Sequence, residues 1–505
     1  MDFVTDFSAK RAELTPDRFA FLDAANGGAM SFAGVDCRAN RLAEALAGLG
    51  LTAGERIAVL CHNRADFFVL LFACMKAELV LVPLNWRQPP AEIGPILARS
   101  GARLLFHDAA NADTANAVAA DQGLARVAMD KGMEADHAMA ALQASASGRP
   151  YGPGRRRSSD VWYLLFTSGT TGEPKAVIYT FGMAWANAIN YSQPSDLAAA
   201  DISINFLPLF HTAGINLPTL PLFLSGGMSH VLPKFEPDAV LDLIDAGALT
   251  HFFGVPAIYQ AISLSERFET LSFDGVRFWG CGGAPLSAAL IRRFADRGVA
   301  VCNGMGMTET GPTLFLMDPA HAAAKIGSVG KAQILSEVRI VGPDETAIEG
   351  EGEGELQVRG PNVTPGYFEN DAATRAAFTE DGWLRTGDVA RRDDDGYVFI
   401  VDRIKDMYIS GGENVYPAEV ERVLLAHEAV LEAIVVGVDD ETWGEVGHAF
   451  LLPRPGCSID PDALRAWCRE RLAAYKVPKH VSIVDDFPRT AAGKVQKHVL
   501  RKERA

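Results

Sequence analysis

The sequence predicts an α/β protein with a large N-terminal domain of two wound sheets, a small β-rich subdomain, and a small α+β C-terminal domain. Three observations carry this. Helical and strand periodicities alternate through the first hundred residues and return between 199 and 305. From about 325 to 402 the texture changes to short alternating strands between Gly- and Asp-rich turns. The length of 505 residues exceeds what one hydrophobic core usually organises.

Ser31 is an N-cap for a helix carrying Val35, Leu42 and Leu46 on one face, with Gly50 past its end. Residues 57–60 read as a short buried strand. A helix through Phe67, Leu70, Leu71 and Met75 comes next, and 80–83 is β-rich. This alternation packs helices over a mostly parallel sheet. The second series comprises 202–207, 251–255, 276–279 and 299–302. Residues 148–160, rich in Gly, Pro, Arg and Ser, read as an exposed loop before a strand. Strands 338–341 and 355–359 fall in the β-rich unit. The domain boundary is placed between 404 and 405, so that 405–505 form the small C-terminal domain. The basic tail 501–504 reads as a solvated helix end.

Hydrophobic residues make up 48% and charged residues 22% of the chain, the balance of a soluble globular enzyme. The formal net charge of −16 repels a phosphate backbone, which argues against nucleic-acid binding. A nucleotide substrate would have to be met by a few local cations and backbone amides. The seven cysteines are scattered without a C-x-x-C pair, which fits reduced thiols rather than disulfides or a zinc site. The apolar run 67–75 is far shorter than the roughly 18 residues of a membrane span. Asp2, Asp6 and Glu13 stand where a signal peptide needs a basic start and an apolar centre. The expected location is cytoplasmic, with no transmembrane segment.

The apolar strand 163–166 runs into TSGTTGEPK, residues 167–175. Its glycines, Gly169 and Gly172, let the backbone turn its amides inward. Thr167, Ser168, Thr170 and Thr171 donate hydroxyl hydrogen bonds, and Lys175 adds a point charge. This composition suits a polyphosphate cradle. It is not a Walker A loop, because Lys175 does not directly follow Gly172 and no Ser or Thr succeeds it. A lone stretch of this kind is more often a polar surface turn; nine specified positions behind a buried strand reverse that balance.

The loop resembles the signature of the adenylate-forming superfamily of acyl-CoA synthetases, peptide-synthetase adenylation domains and luciferases. Further motifs in the same order extend the resemblance over nearly the whole chain. Ala176 departs from the glycine usual in the family. The resemblance implies roles for several more segments. By it, the segment 279–285 (WGCGGAP) lays Gly282, Gly283 and Ala284 along adenine; missing side chains permit close approach. In 303–309 (NGMGMTE), the family's pattern has Thr308 contact the α-phosphate and Glu309 bind Mg²⁺, which prefers hard carboxylate and phosphate oxygens. Met305 replaces the tyrosine that commonly stacks on adenine. By the same likeness Asp388 of Thr386-Gly387-Asp388 accepts the ribose hydroxyls, and Arg403 serves the ribose–phosphate region.

The resemblance also implies two half-reactions. Lys494, in PRTAAGK, is then the catalytic lysine of adenylation. Lys405 is the hinge about which a mobile C-terminal domain swings, bringing in Ser410, Gly411 and Gly412 to line the channel for coenzyme A. The two glycines also read as a hairpin turn. Candidates for the acyl pocket are His211, Ala213, Val255, Cys281, Gly283 and Met305; a lone histidine is usually structural, so His211 is a substrate-site residue and not a general base. No arginine stands among them to receive a second carboxylate.

The expected function is ATP-dependent ligation of a fatty or aryl monocarboxylic acid to coenzyme A through an acyl-AMP. The nearest subgroup is that of bacterial fatty acyl-CoA and feruloyl-CoA synthetases, which 253–259 and 321–330 resemble. Partners are the acid, ATP, Mg²⁺ and coenzyme A, and a homodimer is compatible with this reading. The alternatives are an adenylation enzyme that loads a carrier protein and a catalytically silent nucleotide-binding protein.

Overall fold

A computed structural model describes residues 1–25, 27–167, 174–489 and 495–502. The first wound sheet has seven strands, in the order Lys175–Thr180, Val161–Thr167, Val80–Pro83, Arg56–Leu60, Ala102–His107, Ala125–Ala128 and His137–Ala138. All neighbours are parallel except the first pair, which is antiparallel. Helix Ala65–Ala77 is apolar almost all round because nearly all of it is buried against this sheet and the next. Lys76 on that helix is buried too, and it is neutralised by Asp6 at 2.6 Å and Asp36 at 2.7 Å. Ser31 caps helix Phe32–Gly48, its Oγ accepting from the Gly34 amide at 3.1 Å.

The second series of strands does not form one sheet. Ile202–Asn205, Met228–Val231, Phe19–Asp23 and Gly28–Ser31 make a four-stranded sheet. His251–Gly254, Phe278–Cys281, Val301–Met305, Phe315–Leu316 and Lys331–Ala332 make a separate five-stranded one. The predicted strands 276–279 and 299–302 each begin two residues later. Val276 and Val299 are buried in the turns that precede them, their amides held by the carbonyls of Phe273 and Phe294. Apolar periodicity cannot tell a buried turn residue from a strand residue. The strand expected at 202–207 ends at Asn205, and that expected at 251–255 ends at Gly254, where Val255 caps helix Pro256–Leu264. The loop 148–160 contains strand Arg155–Arg157, which pairs with Phe3–Thr5, a partner far away in sequence.

Residues 337–403 build the β-rich unit, whose antiparallel strands are Glu337–Val341, Gly352–Arg359, Leu384–Arg392 and Val398–Arg403. The last sheet consists of Glu413–Val415, Tyr408–Ser410, Gly444–Pro453, Val430–Asp440 and His480–Ile483. With helices Pro417–Leu425 and Pro461–Arg469 it encloses its own core, built on Tyr408, Val420, Leu424, Val435, Leu451 and Leu464. Among the described residues no helix is long and apolar enough to cross a membrane.

Candidate active site

In the five-stranded sheet two parallel strands end level at Gly254 and Cys281, and the third, level with them at Asn303, runs on to Met305. Ligands of open α/β sheets bind beyond such carboxyl ends. The residues there are small because neighbouring backbone leaves no room. A Cβ on Gly282 would lie 3.1 Å from the Phe253 ring and 3.2 Å from the Gly304 carbonyl oxygen; one on Gly306 would lie 1.4 Å from the Pro312 carbonyl oxygen. Past Gly282, Gly283 takes φ +84°, and Gly283 and Ala284 are exposed as a shelf without bulk. Asn303 supplies a buried Oδ1 that accepts from no donor among the described residues. Nothing in the local sequence marks Asn303 as an unpaired buried acceptor.

Ala213, Val255 and Cys281 pack in one hydrophobic cluster, while Met305 packs against a neighbouring one with Leu314 and Phe315. Burial pushes the Cys281 thiol well above its ordinary range, so it is a neutral wall and not a nucleophile. His211 caps helix Thr212–Asn216, its Nδ1 accepting from the Ala213 amide at 3.2 Å. A neutral ring so held carries its proton on Nε2.

Thr308 and Glu309 are buried in a short turn, Thr308–Thr310, tied down on several sides. Met307 donates its amide to Thr310 Oγ1 at 2.8 Å, Asn362 Nδ2 donates to the Thr310 carbonyl at 2.8 Å, and Thr364 donates its amide to the Glu309 carbonyl at 2.8 Å. The Glu309 carboxylate accepts from the Tyr367 hydroxyl at 3.0 Å. The Lys175 ammonium stands 5.2 Å from the centre of the same ring. Burial and the nearby Glu309 charge raise the Tyr367 phenol, so it stays protonated and keeps donating. Tyr367 thus joins the two ends of the predicted phosphate site. Sequence reading missed it, because long-range contacts, among them the bridge between Val177 and Tyr367 and the Phe368 amide donating to the Ala176 carbonyl at 2.8 Å, bring it there.

Thr167 and Lys175 face each other across the mouth of the hairpin that carries the phosphate loop, and Thr167 Oγ1 lies 3.4 Å from the Lys175 carbonyl oxygen. Ser168, Gly169, Thr170, Thr171 and Gly172 lie outside the described residues, as does Lys494. Asp388 and Arg403 are cross-strand partners joined by an ion pair, Nε to Oδ1 at 2.9 Å. A backbone bond from Ile404 to Gly387 at 2.9 Å closes the pair, leaving Lys405 exposed just beyond. Ser410 pairs with Glu413 across a two-residue hairpin whose Gly411 and Gly412 take φ +61° and +90°, as a primed turn requires. Gly411 donates its amide to the Trp443 carbonyl at 2.8 Å, and a Cβ on it would press on the Trp443 ring at 2.9 Å.

Known proteins share this geometry. Residues 8–368 match the model of the AMP-binding enzyme family, and residues 419–494 that of the AMP-binding enzyme C-terminal domain. A feruloyl-CoA synthase of Amycolatopsis sp is 41% identical over 98% of this chain and 97% of its own. The long-chain-fatty-acid–CoA ligase FadD13 of Mycobacterium tuberculosis is 34% identical over the same shares. Among solved structures, ATP-bound MatB from Rhodopseudomonas palustris overlays with a TM-score of 0.91 at 30% identity, covering 99% of each chain. The apo form of MatB overlays at 0.81, at 31% identity over 99% of each chain. With this similarity running from end to end, the chain belongs to the AMP-binding enzyme family and is an adenylate-forming enzyme.

Proposed function

We propose that this enzyme joins a fatty or aryl monocarboxylic acid to coenzyme A in two steps at one site. A carboxylate oxygen first attacks the α-phosphorus of ATP, expelling pyrophosphate and leaving an acyl-adenylate. The coenzyme A thiol then attacks the acyl carbon, loses its proton to solvent and expels AMP. The observation that carries this reading is the Lys175–Tyr367–Glu309 cluster at the mouth of the phosphate hairpin. It offers a cation over the face of one ring and a hard carboxylate at its hydroxyl, as a magnesium triphosphate needs.

In this reading Glu309 would hold Mg²⁺, which neutralises charge on the phosphate oxygens; its buried carboxylate in a fixed turn suits that ion. Thr167, Ser168, Gly169, Thr170, Thr171, Gly172 and Lys175 cradle the phosphates, and Thr308 contacts the α-phosphate. Gly282, Gly283, Ala284 and Met305 line adenine, while Asp388 and Arg403 hold the ribose side. Residues 1–404 supply this platform. Residues 405–505 swing about Lys405, presenting Lys494 for the first step and Ser410, Gly411 and Gly412 for the second.

The choice of acid rests on the apolar company of Ala213, Val255 and the neutral Cys281, and on relatives that are feruloyl-CoA and fatty-acid–CoA ligases. The test is pyrophosphate release with fatty, benzoic and cinnamic acids, each with and without coenzyme A. Thioester formed from a fatty or cinnamic acid is the expected result. Turnover with a carrier protein alone would replace the acceptor, and no release with any acid would overturn adenylation.

A further inference from the structure

The residues that flank position 494 are tied on both sides. Before it, Arg489 pairs with Glu432; after it, Val495 bridges back to Arg489, and the Gln496 amide donates to the Pro488 carbonyl at 2.7 Å. Helix Lys497–Lys502 begins at once. Its first residue, Lys497, reaches inward to Glu421 of helix Pro417–Leu425, Nζ to Oε1 at 2.8 Å, and the same oxygen accepts from the Val435 amide at 2.8 Å. The tie holds the start of that helix to the sheet behind it.

A third carboxylate adjoins this pair from the other side of residue 405. Asp402, in strand Val398–Arg403, is buried, and its Oδ2 accepts from the Ala418 amide at 2.7 Å in the first turn of the helix that carries Glu421. Burial disfavours the charge on Lys497, but Glu421, Asp402 and Asp406 outweigh it and the ammonium is held. Burial likewise raises the carboxyls of Asp402 and Glu421, each offset in part by Lys497. Farther along the same helix, Arg501 acts on the Lys405 ammonium, as do Arg403, Asp406 and Asp388. The helix that comes after Lys494 therefore lies within charge range of the proposed hinge.

Asp402 precedes Lys405, whereas Ala418, Glu421 and Lys497 come after it. Rotation about Lys405 has to break the Asp402 contacts while leaving Lys497–Glu421 intact. We propose that Asp402, Glu421 and Lys497 form a latch that positions the segment bearing Lys494 for adenylation and must open before thioester formation. The latch rests on the two-step reading of the reaction. It makes Asp402 and Lys497 positioning residues, since neither is assigned a contact with substrate.

The experiment separates the half-reactions in the full chain. Acid-dependent pyrophosphate–ATP exchange reads the first, and thioester formation from supplied acyl-adenylate and coenzyme A reads the second. Lys497→Met and Asp402→Asn, which remove the two opposite charges of the latch from either side of Lys405, should each lower exchange about tenfold or more and leave the second rate equal or higher. Lys497→Arg should restore exchange. An equal fall in both half-reactions, or unchanged exchange, would overturn the latch and leave only a structural role. If Lys497→Met does not fold, Asp402→Asn decides by the same ratio. Absence of exchange in the unaltered chain would instead overturn the two-step reading, and the latch with it.

Discussion

The glycines of the five-stranded sheet and those of the hairpin at 411–412 serve different ends. At Gly282, Gly304 and Gly306 the constraint comes from outside: backbone or ring atoms of other segments occupy the space a side chain would need. At Gly412 nothing lies within 4 Å of an added Cβ, and only φ of +90° calls for glycine. The first region is a platform fixed by long-range packing. At Gly412 the shape is set by the turn itself, which is what the proposed passage of the hairpin into a coenzyme A channel would need.

The sharpest test of that contrast lies at Gly306. An alanine there meets the Pro312 carbonyl oxygen at 1.4 Å, and the turn bearing Thr308 and Glu309 has to shift. Gly306→Ala should cost about 3 kcal/mol of stability and abolish pyrophosphate release; a normal melting temperature would show that the turn can yield. Gly412→Leu should fold with a loss of only about 1–2 kcal/mol, the penalty of a left-handed conformation. It should form acyl-adenylate normally yet lose coenzyme A turnover by roughly 100-fold, as a blocked channel implies. Equal damage to both steps would place the hairpin outside the channel.

This contrast also marks what could be read from sequence. The hairpin of Gly411-Gly412 and the strand running into the phosphate loop are local patterns, each shaped by the turn or strand that contains it, and both are present; the ion pair of Asp388 with Arg403 on neighbouring strands is not read from the sequence. The partners of Glu309 could not be read in that way. Tyr367 reaches it from 58 residues away, on a segment docked to strand Lys175–Thr180. The contact of Asp402 with the helix of Glu421 across the proposed hinge is likewise long-range. Nor does local apolar patterning show that the second series of strands divides into two sheets, because strand partners are chosen by tertiary packing. Of the predicted catalytic residues, Lys494 lies outside the described part of the chain. Its role rests on the resemblance of its motif.

A smaller effect is expected from Tyr367→Phe. The phenol donates the hydrogen bond that orients Glu309, while its ring sits beneath Lys175. Phenylalanine keeps the ring and removes only the donor. Exchange should fall about tenfold, or about 1.4 kcal/mol, with a raised requirement for magnesium and an unchanged melting temperature. If saturating magnesium left the loss unaltered, the phenol would not act by preparing the Glu309 carboxylate for the ion.

An effect on stability alone compares two buried histidines, one under each region. His448 in the last sheet stacks on Phe450 with ring centres 4.2 Å apart, and its Nε2 lies 2.9 Å from Ser482 Oγ. His251 beneath the platform stacks on Phe278 at 4.7 Å, and neither of its ring nitrogens has a hydrogen-bond partner among the described residues. Burial lowers the His251 pKa from 6.5 to about 3. Between those values the unfolded chain takes up a proton that the folded chain refuses, so its stabilising contribution is complete above pH 6.5 and is lost as the pH falls. The loss should reach roughly 2 kcal/mol by pH 5. His251→Phe keeps the stacked ring without the titration, so its melting temperature should fall less between about pH 7 and 5 than that of the unaltered chain. His448→Phe gives up the Ser482 contact and should cost about 1 kcal/mol already at neutral pH. If the acid-dependent fall were the same in His251→Phe and the unaltered chain, the ring would have to gain its proton in the folded state as readily as in the unfolded one, and the dry, close-packed floor ascribed to the platform would not exist.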